Sequence, residues 1–184
     1  MKWDFPVVVE IDGKEYKIRN NCDYKVVLDC IAALNDNDLE MKYRIECALF
    51  IFYEDSSELI DLEKAVREMF RIINYGEEEQ ETPDNKPQLM NWEKDFRHIA
   101  PPVNHVLGYD VRIPDKYTHW WTFLGGYMEI GESTFSTIVS IRNKKAKNKK
   151  LDAWEEEFYR ENRKMIDLPL NLTAEEQELL NSDW

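Results

Sequence analysis

Leu59, Leu62, Val66, Met69 and Ile73 follow one another at intervals of three, four, three and four residues, and this spacing constrains the fold more than any other feature of the chain. Only an α-helix returns such positions to one side, so the stretch reads as a helix that opens at Ser57 and buries Leu59, Leu62, Val66, Met69, Phe70 and Ile73. Gly76 stands where a C′ residue would stop it. The same period places Val26, Val27, Cys30, Ile31 and Leu34 on one face of an earlier helix capped by Asn21 or Asp23. A further helix is expected over Leu39 to Tyr53.

Before the first helix the pattern changes to strand. Val7 to Ile11 meets Lys14 to Ile18 through Asp12-Gly13, and that dipeptide suits a type I′ turn, whose two central residues both need positive φ. An isolated hairpin is marginal in water, so it is expected to rest on the helices.

From Glu77 to Gln88 the chain reads EEEQETPDNKPQ, with two prolines, clustered like charge and no apolar residue. The expected organisation is therefore a hairpin-plus-helices unit over 1–76, an acidic linker over 77–88 and a helical unit over 89–184. In the latter, helices are expected over Trp92 to Ile99, Pro102 to Leu107, Tyr117 to Tyr127, Thr134 to Lys145 and Leu151 to Ile166. Pro101-Pro102 separates the first two, because proline lacks the N–H a helix interior requires. Leu151, Trp154, Phe158 and Met165 form one stripe on the last long helix. Thr173, three residues before Glu176, forms a capping box for a short final helix carrying Leu179 and Leu180. The fold class is mainly α with an N-terminal β-hairpin.

Composition narrows the function. A net charge of −13 sets the surface against phosphate backbones and anionic lipid, so neither nucleic acid nor membrane is an expected partner. No apolar run has the length of a leader or a membrane span, which places the chain in the cytoplasm. Cys22, Cys30 and Cys47 fit neither a disulfide framework nor a zinc pattern and read as reduced, buried side chains. His98, His105 and His119 read as surface or half-buried imidazoles, with no metal-ligand spacing beside them. No Gly-x-Ser-x-Gly and no glycine-rich phosphate loop occurs, and Gly125-Gly126 suits close helix packing better than phosphate binding. Neither enzymatic activity nor a cofactor or metal is expected.

Two segments remain as candidates for recognition. Arg142 to Lys150, RNKKAKNKK, carries six cations in nine residues and offers a nucleic-acid contact, though it lacks interleaved aromatics and reads better as a solvated inter-helix loop. The other is THWWTFLGGYMEIG, Thr118 to Gly131, where apolar area is densest. Adjacent tryptophans on a helix point about 100° apart, so one serves the core while the other lines a groove or covers a neighbouring helix. The candidate partner-binding residues here are Trp120, Trp121, Phe123, Tyr127 and Met128.

Taken in order, IDGKEYKI, the charged linker, the Ala-Pro-Pro helix, LGYDV, HWWTF and FSTIVSIR resemble the tail assembly family called gp fifteen, from long-tailed phages (siphoviruses) and prophages of Gram-positive hosts. The resemblance runs from about Val7 to Asn162, and His119 to Phe123 is its most specific piece. It implies a tail assembly chaperone that binds the tape-measure protein in the host cytoplasm while tail-tube subunits polymerise around it, and that is absent from the mature virion. Homo-oligomer formation stays open. The alternatives are a nucleic-acid-binding regulator or packaging accessory using 142–150, and a structural tail or head-completion subunit.

Overall fold

The computed structural model describes residues 4–77 and 87–168. The chain is mainly helical, with one two-stranded antiparallel hairpin at its start. Among the described residues two compact units form: one takes 4–77 with Tyr117–Gly125, the other 87–116 with 126–168. The boundary therefore falls inside a single helix, between Gly125 and Gly126.

In the first unit β1 (Val8–Ile11) pairs with β2 (Lys14–Lys17), Ile11 facing Lys14 across the turn. Asp12 and Gly13 take φ of 51° and 79°, as a type I′ turn demands. Alternation then sends Val9, Ile11, Tyr16 and Ile18 inward. Asp23 is the residue that caps α1 (Tyr24–Leu34): its carboxylate accepts from Lys25 N–H at 3.0 Å and also from Thr118 N–H at 3.0 Å. Helix α1 packs on α2 (Met41–Phe52), and α2 on α3 (Leu62–Ile73).

Helix α3 starts later than the apolar stripe suggests. Ser56–Glu58 forms only a 3-10 turn, Leu59 to Asp61 is extended or irregular, and Asp61 caps α3 by accepting from Lys64 N–H. Ala65, Met69 and Ile72 face the core, whereas Leu62 is exposed and Val66, Phe70 and Ile73 are half-buried. The cap leaves Leu59 outside the helix, and the face that α3 buries, centred on Ala65, Met69 and Ile72, lies about 60° round from the expected stripe. At the far end Tyr75, with φ 62°, occupies C′, and Gly76 N–H donates to the Arg71 carbonyl, so Gly76 is C″ of a Schellman turn.

In the second unit α4 (Trp92–Leu107) runs unbroken through Pro101 and Pro102, against the expected division there. Each proline removes one helical hydrogen bond, but Ile99, Ala100 and Val103 are fully buried, and their packing carries the helix across. Pro101 lies on the exposed side. Helix α6 (Thr134–Ala146) opens with a reciprocal Ser133–Ser136 capping box. The expected helix over 151–166 breaks at Asn162, φ −118°, into α7 (Ala153–Glu161) and α8 (Arg163–Ile166). Ile138, Ile141 and Ile166 form a core against which Leu151, Phe158, Tyr159 and Met165 pack, while Trp154 stays exposed and stacks on Phe158.

The basic run is an inter-helix loop only in its second half, Lys147 to Lys150. Arg142 to Ala146 belong to α6, and Arg142 is buried, donating to both oxygens of fully buried Asp95 at 2.6 and 2.9 Å and to the carbonyls of Leu89, Met165 and Ile166. Lys144 pairs with Glu155 at 2.5 Å, and Lys145 with Asp167 at 2.7 Å over the Tyr159 ring. Three of the six cations are thus consumed inside the unit. The expected helix after Thr173 and most of the acidic linker lie outside the described residues.

Candidate functional site

The five aromatic and methionine candidates lie on or beside α5 (Trp120–Met128), and they part company. Trp120 and Phe123 are 1% and 0% exposed. Trp120 donates its indole N–H to the Ile73 carbonyl at 3.0 Å, and Trp121 donates its own to the Ile72 carbonyl at 2.9 Å. Those carbonyls end α3: Ile72 also accepts from Tyr75 N–H in the Schellman turn, and the indoles add a second donor there and a donor for Ile73, so two adjacent indoles pointing different ways complete one helix terminus. Phe123 stacks on Tyr24 at 4.5 Å. Half-buried Trp121 lies against Tyr75 and Gly76, where a Cβ at Gly76 would come within 3.2 Å of its ring.

His119 is buried, not superficial, and belongs to the same clamp. Its ring stacks on Phe5 at 4.4 Å; Nδ1 accepts from Trp121 N–H at 3.0 Å, which leaves Nε2 to donate to the Pro6 carbonyl at 3.2 Å. Burial pushes its pKa below the usual histidine value, favouring the neutral ring this bonding pattern needs. Thr118 to Phe123 thus ties together the lead-in to the hairpin, the start of α1 and the end of α3. In this conformation Trp120 and Phe123 have no surface with which to touch a partner.

Tyr127 and Met128 lie in the second unit. Tyr127 is half-buried between Trp92 and Phe135, at 5.0 and 5.8 Å. Met128, 59% exposed, is the one candidate of the five with a large free apolar surface. Gly126 serves packing, as expected: a Cβ there would lie 3.1 Å from Leu107.

A further exposed apolar surface lies on the first unit. Helix α2 has two apolar sides. At about 100° per residue, Ile45, Ala48, Leu49 and Phe52 share one side, and Tyr43, Cys47 and Phe50 fall opposite. The first set is turned to the core; Phe50 is 67% exposed. Between α2 and the start of α3 runs an open groove of about 510 Å³, lined by Glu46, Cys47, Phe50, Ile51, Leu59 and Leu62 among others and almost entirely apolar. Ile60 beside it is also exposed, and Leu62 is 55% exposed.

Sequence spacing hides this groove because Leu59 and Leu62 continue the α3 stripe and read as part of its core. The doubled apolar faces of α2 were the available signal. Cys47 is corrected with them: it is exposed, whereas Cys22 and Cys30 are buried. Burial pushes the Cys22 thiol up to about 12 and the Cys30 thiol higher still.

Among the described residues no group of His, Cys, Asp and Glu is arranged to hold a metal ion, and no helix is long and apolar enough to cross a membrane. The family model described as Bacteriophage Gp15 protein matches residues 3–168. The chain belongs to the bacteriophage Gp15 family. The match takes in both units of this Gp15 protein and spans every element described above. No curated protein and no solved structure matches it.

Proposed function

We propose that this Gp15-family chain is a non-enzymatic tail assembly chaperone of a long-tailed phage. It binds the tape-measure protein in the host cytoplasm, keeps it soluble while tail-tube subunits polymerise around it, and leaves before the virion is complete. The observation that best supports this reading is the open apolar face of α2 and α3, with Phe50 67% exposed, in a chain of net charge −13. A long helical client with a bare apolar face aggregates; an acidic binder that covers that face holds it in solution.

Coexpression with the longest helical reading frame encoded downstream tests the proposal, with a tag on the C-terminus of that client. The expected result is a soluble client that brings this chain down in several copies. A client that is soluble alone and captures nothing would overturn it.

The nucleic-acid alternative has less support, since Arg142, Lys144 and Lys145 are paired internally and only Lys147, Lys149 and Lys150 of the run remain for phosphate. A structural tail or head-completion subunit is distinguished by mass spectrometry of purified virions, where it persists and a chaperone does not.

A further inference from the structure

Among the described residues, α5 is the one helix or strand that runs from the first unit into the second, and Gly125 lies in its interior at that boundary. Glycine is the poorest helix former after proline, because its backbone has the most freedom to lose on ordering. A glycine in a helix interior therefore calls for a reason. Two reasons lie in the folded geometry: a positive φ, or a neighbour too close to admit a Cβ.

Neither applies to Gly125. The glycines with positive φ are Gly13, Gly76 and Gly108. Gly126 is accounted for by packing, since a Cβ there would come within 3.1 Å of Leu107 and 3.4 Å of Val103. A Cβ on Gly125 would meet the Tyr75 hydroxyl at 3.9 Å, which is ordinary contact, and nothing nearer. Alanine thus fits at 125 and would strengthen α5 at the unit boundary, where the chain instead carries the residue that weakens it.

On either side of this point α5 is held by its own unit. Before it, the Trp120 and Trp121 indoles donate to the Ile73 and Ile72 carbonyls, and Phe123 stacks on Tyr24. After it, Gly126 lies against Leu107, and Tyr127 packs with Trp92 and Phe135. One helical turn joins the two halves: with bonds from each N–H to the carbonyl four residues back, the amides of Gly126, Tyr127 and Met128 reach across the boundary to Thr122, Phe123 and Leu124. The other described crossing, from Lys116 to Tyr117, lies in the stretch 112–117, where every residue is exposed and none is in a helix or strand. Such backbone yields at low cost. We infer that Gly125 is a hinge: the helical bonds across it open, and the two units reorient about it as separate bodies, each keeping its own half of α5. The hinge is independent of the chaperone reading, since it concerns how the chain moves and not what it binds.

Cys47 is exposed while Cys22 and Cys30 are buried, so Cys47 and an added Glu156→Cys on the exposed side of α7 accept a pair of nitroxide labels, one on each unit of the full chain. Pulsed electron paramagnetic resonance then reads the distribution of distances between them. With Gly125 in place the distribution should be broad, and Gly125→Ala should narrow it about twofold or more. The same substitution should raise the melting temperature by about 2–4 °C. In the unlabelled chain the amides of Gly126, Tyr127 and Met128 should exchange hydrogen about 100-fold faster than those of Met69 in α3 and Ile141 in α6, and Gly125→Ala should slow them about fivefold.

A distribution equally wide with glycine or alanine at 125 would overturn the hinge, even where the melting temperature rises. So would α5 amides as protected as those of Met69 and Ile141. A fall in melting temperature for Gly125→Ala would show that packing requires the glycine and would overturn it as well.

Discussion

Two aromatic-rich regions of the first unit differ in what their side chains have left to offer. In Thr118 to Phe123 both indole N–H groups, the imidazole and the phenyl ring are engaged with backbone carbonyls or other rings. On α2 and the start of α3, Phe50, Ile60 and Leu62 stand in solvent beside an open groove. Apolar density alone does not separate a core from a recognition surface. What separates them is whether polar edges find partners inside the chain, and whether a helix has a second apolar side after its first is buried.

The contrast breaks most directly at Trp120. Trp120→Ala opens a cavity and frees the Ile73 carbonyl, and denaturant unfolding should register a loss of about 3–5 kcal/mol. A similar loss of about 3–5 kcal/mol is expected for Arg142→Ala, which strands the buried Asp95 carboxylate. Replacing Lys147, Lys149 and Lys150 together by alanine should stay within about 0.5 kcal/mol in the same assay, which divides the basic run into a structural half and a solvated half. Gly76→Ala should cost about 1–3 kcal/mol, since Gly76 has φ 89° and a Cβ would press on the Trp121 ring.

His119 supplies a smaller, pH-dependent effect. Its folded pKa lies below its ordinary value of 6.5, chiefly through burial, with the Pro6 contact and Asp23 opposing. The unfolded chain therefore takes up the proton first. The stability from the neutral ring is complete above 6.5 and declines as pH falls below it toward the folded value. Thermal melts stepped downward from neutral pH should show this decline in wild type and a shallower one in His119→Gln. The expected stability change for Phe50→Ala with Leu62→Ala is likewise small, within about 0.5 kcal/mol for each exposed side chain.

Much of the fold was legible because local signals there agree with tertiary packing. Asp12-Gly13 fixes the turn, and Val26, Val27 and Cys30 mark the buried face of α1. Legibility failed where tertiary burial overrode a local rule, as at Pro101 and Pro102, or where the buried face lies round from the apolar stripe, as on α3. The groove was hidden for the second reason: a helical stripe says that residues share a side but not what that side meets, and Leu62 continues the stripe of α3 while facing solvent. The Trp120 and Trp121 indoles were legible as diverging but not as bonded to α3, because nothing in local spacing brings Ile72 and Ile73 to them.

Capture of the client by Phe50→Ala/Leu62→Ala, compared with Met128→Ala and wild type in the same coexpression, tests the division between clamp and groove most directly. Capture should fall about tenfold in the double variant, with its melting temperature unchanged, and stay at the wild-type level for Met128→Ala. Undiminished capture by the double variant, together with loss of capture by Met128→Ala, would return recognition to α5 and contradict the assignment.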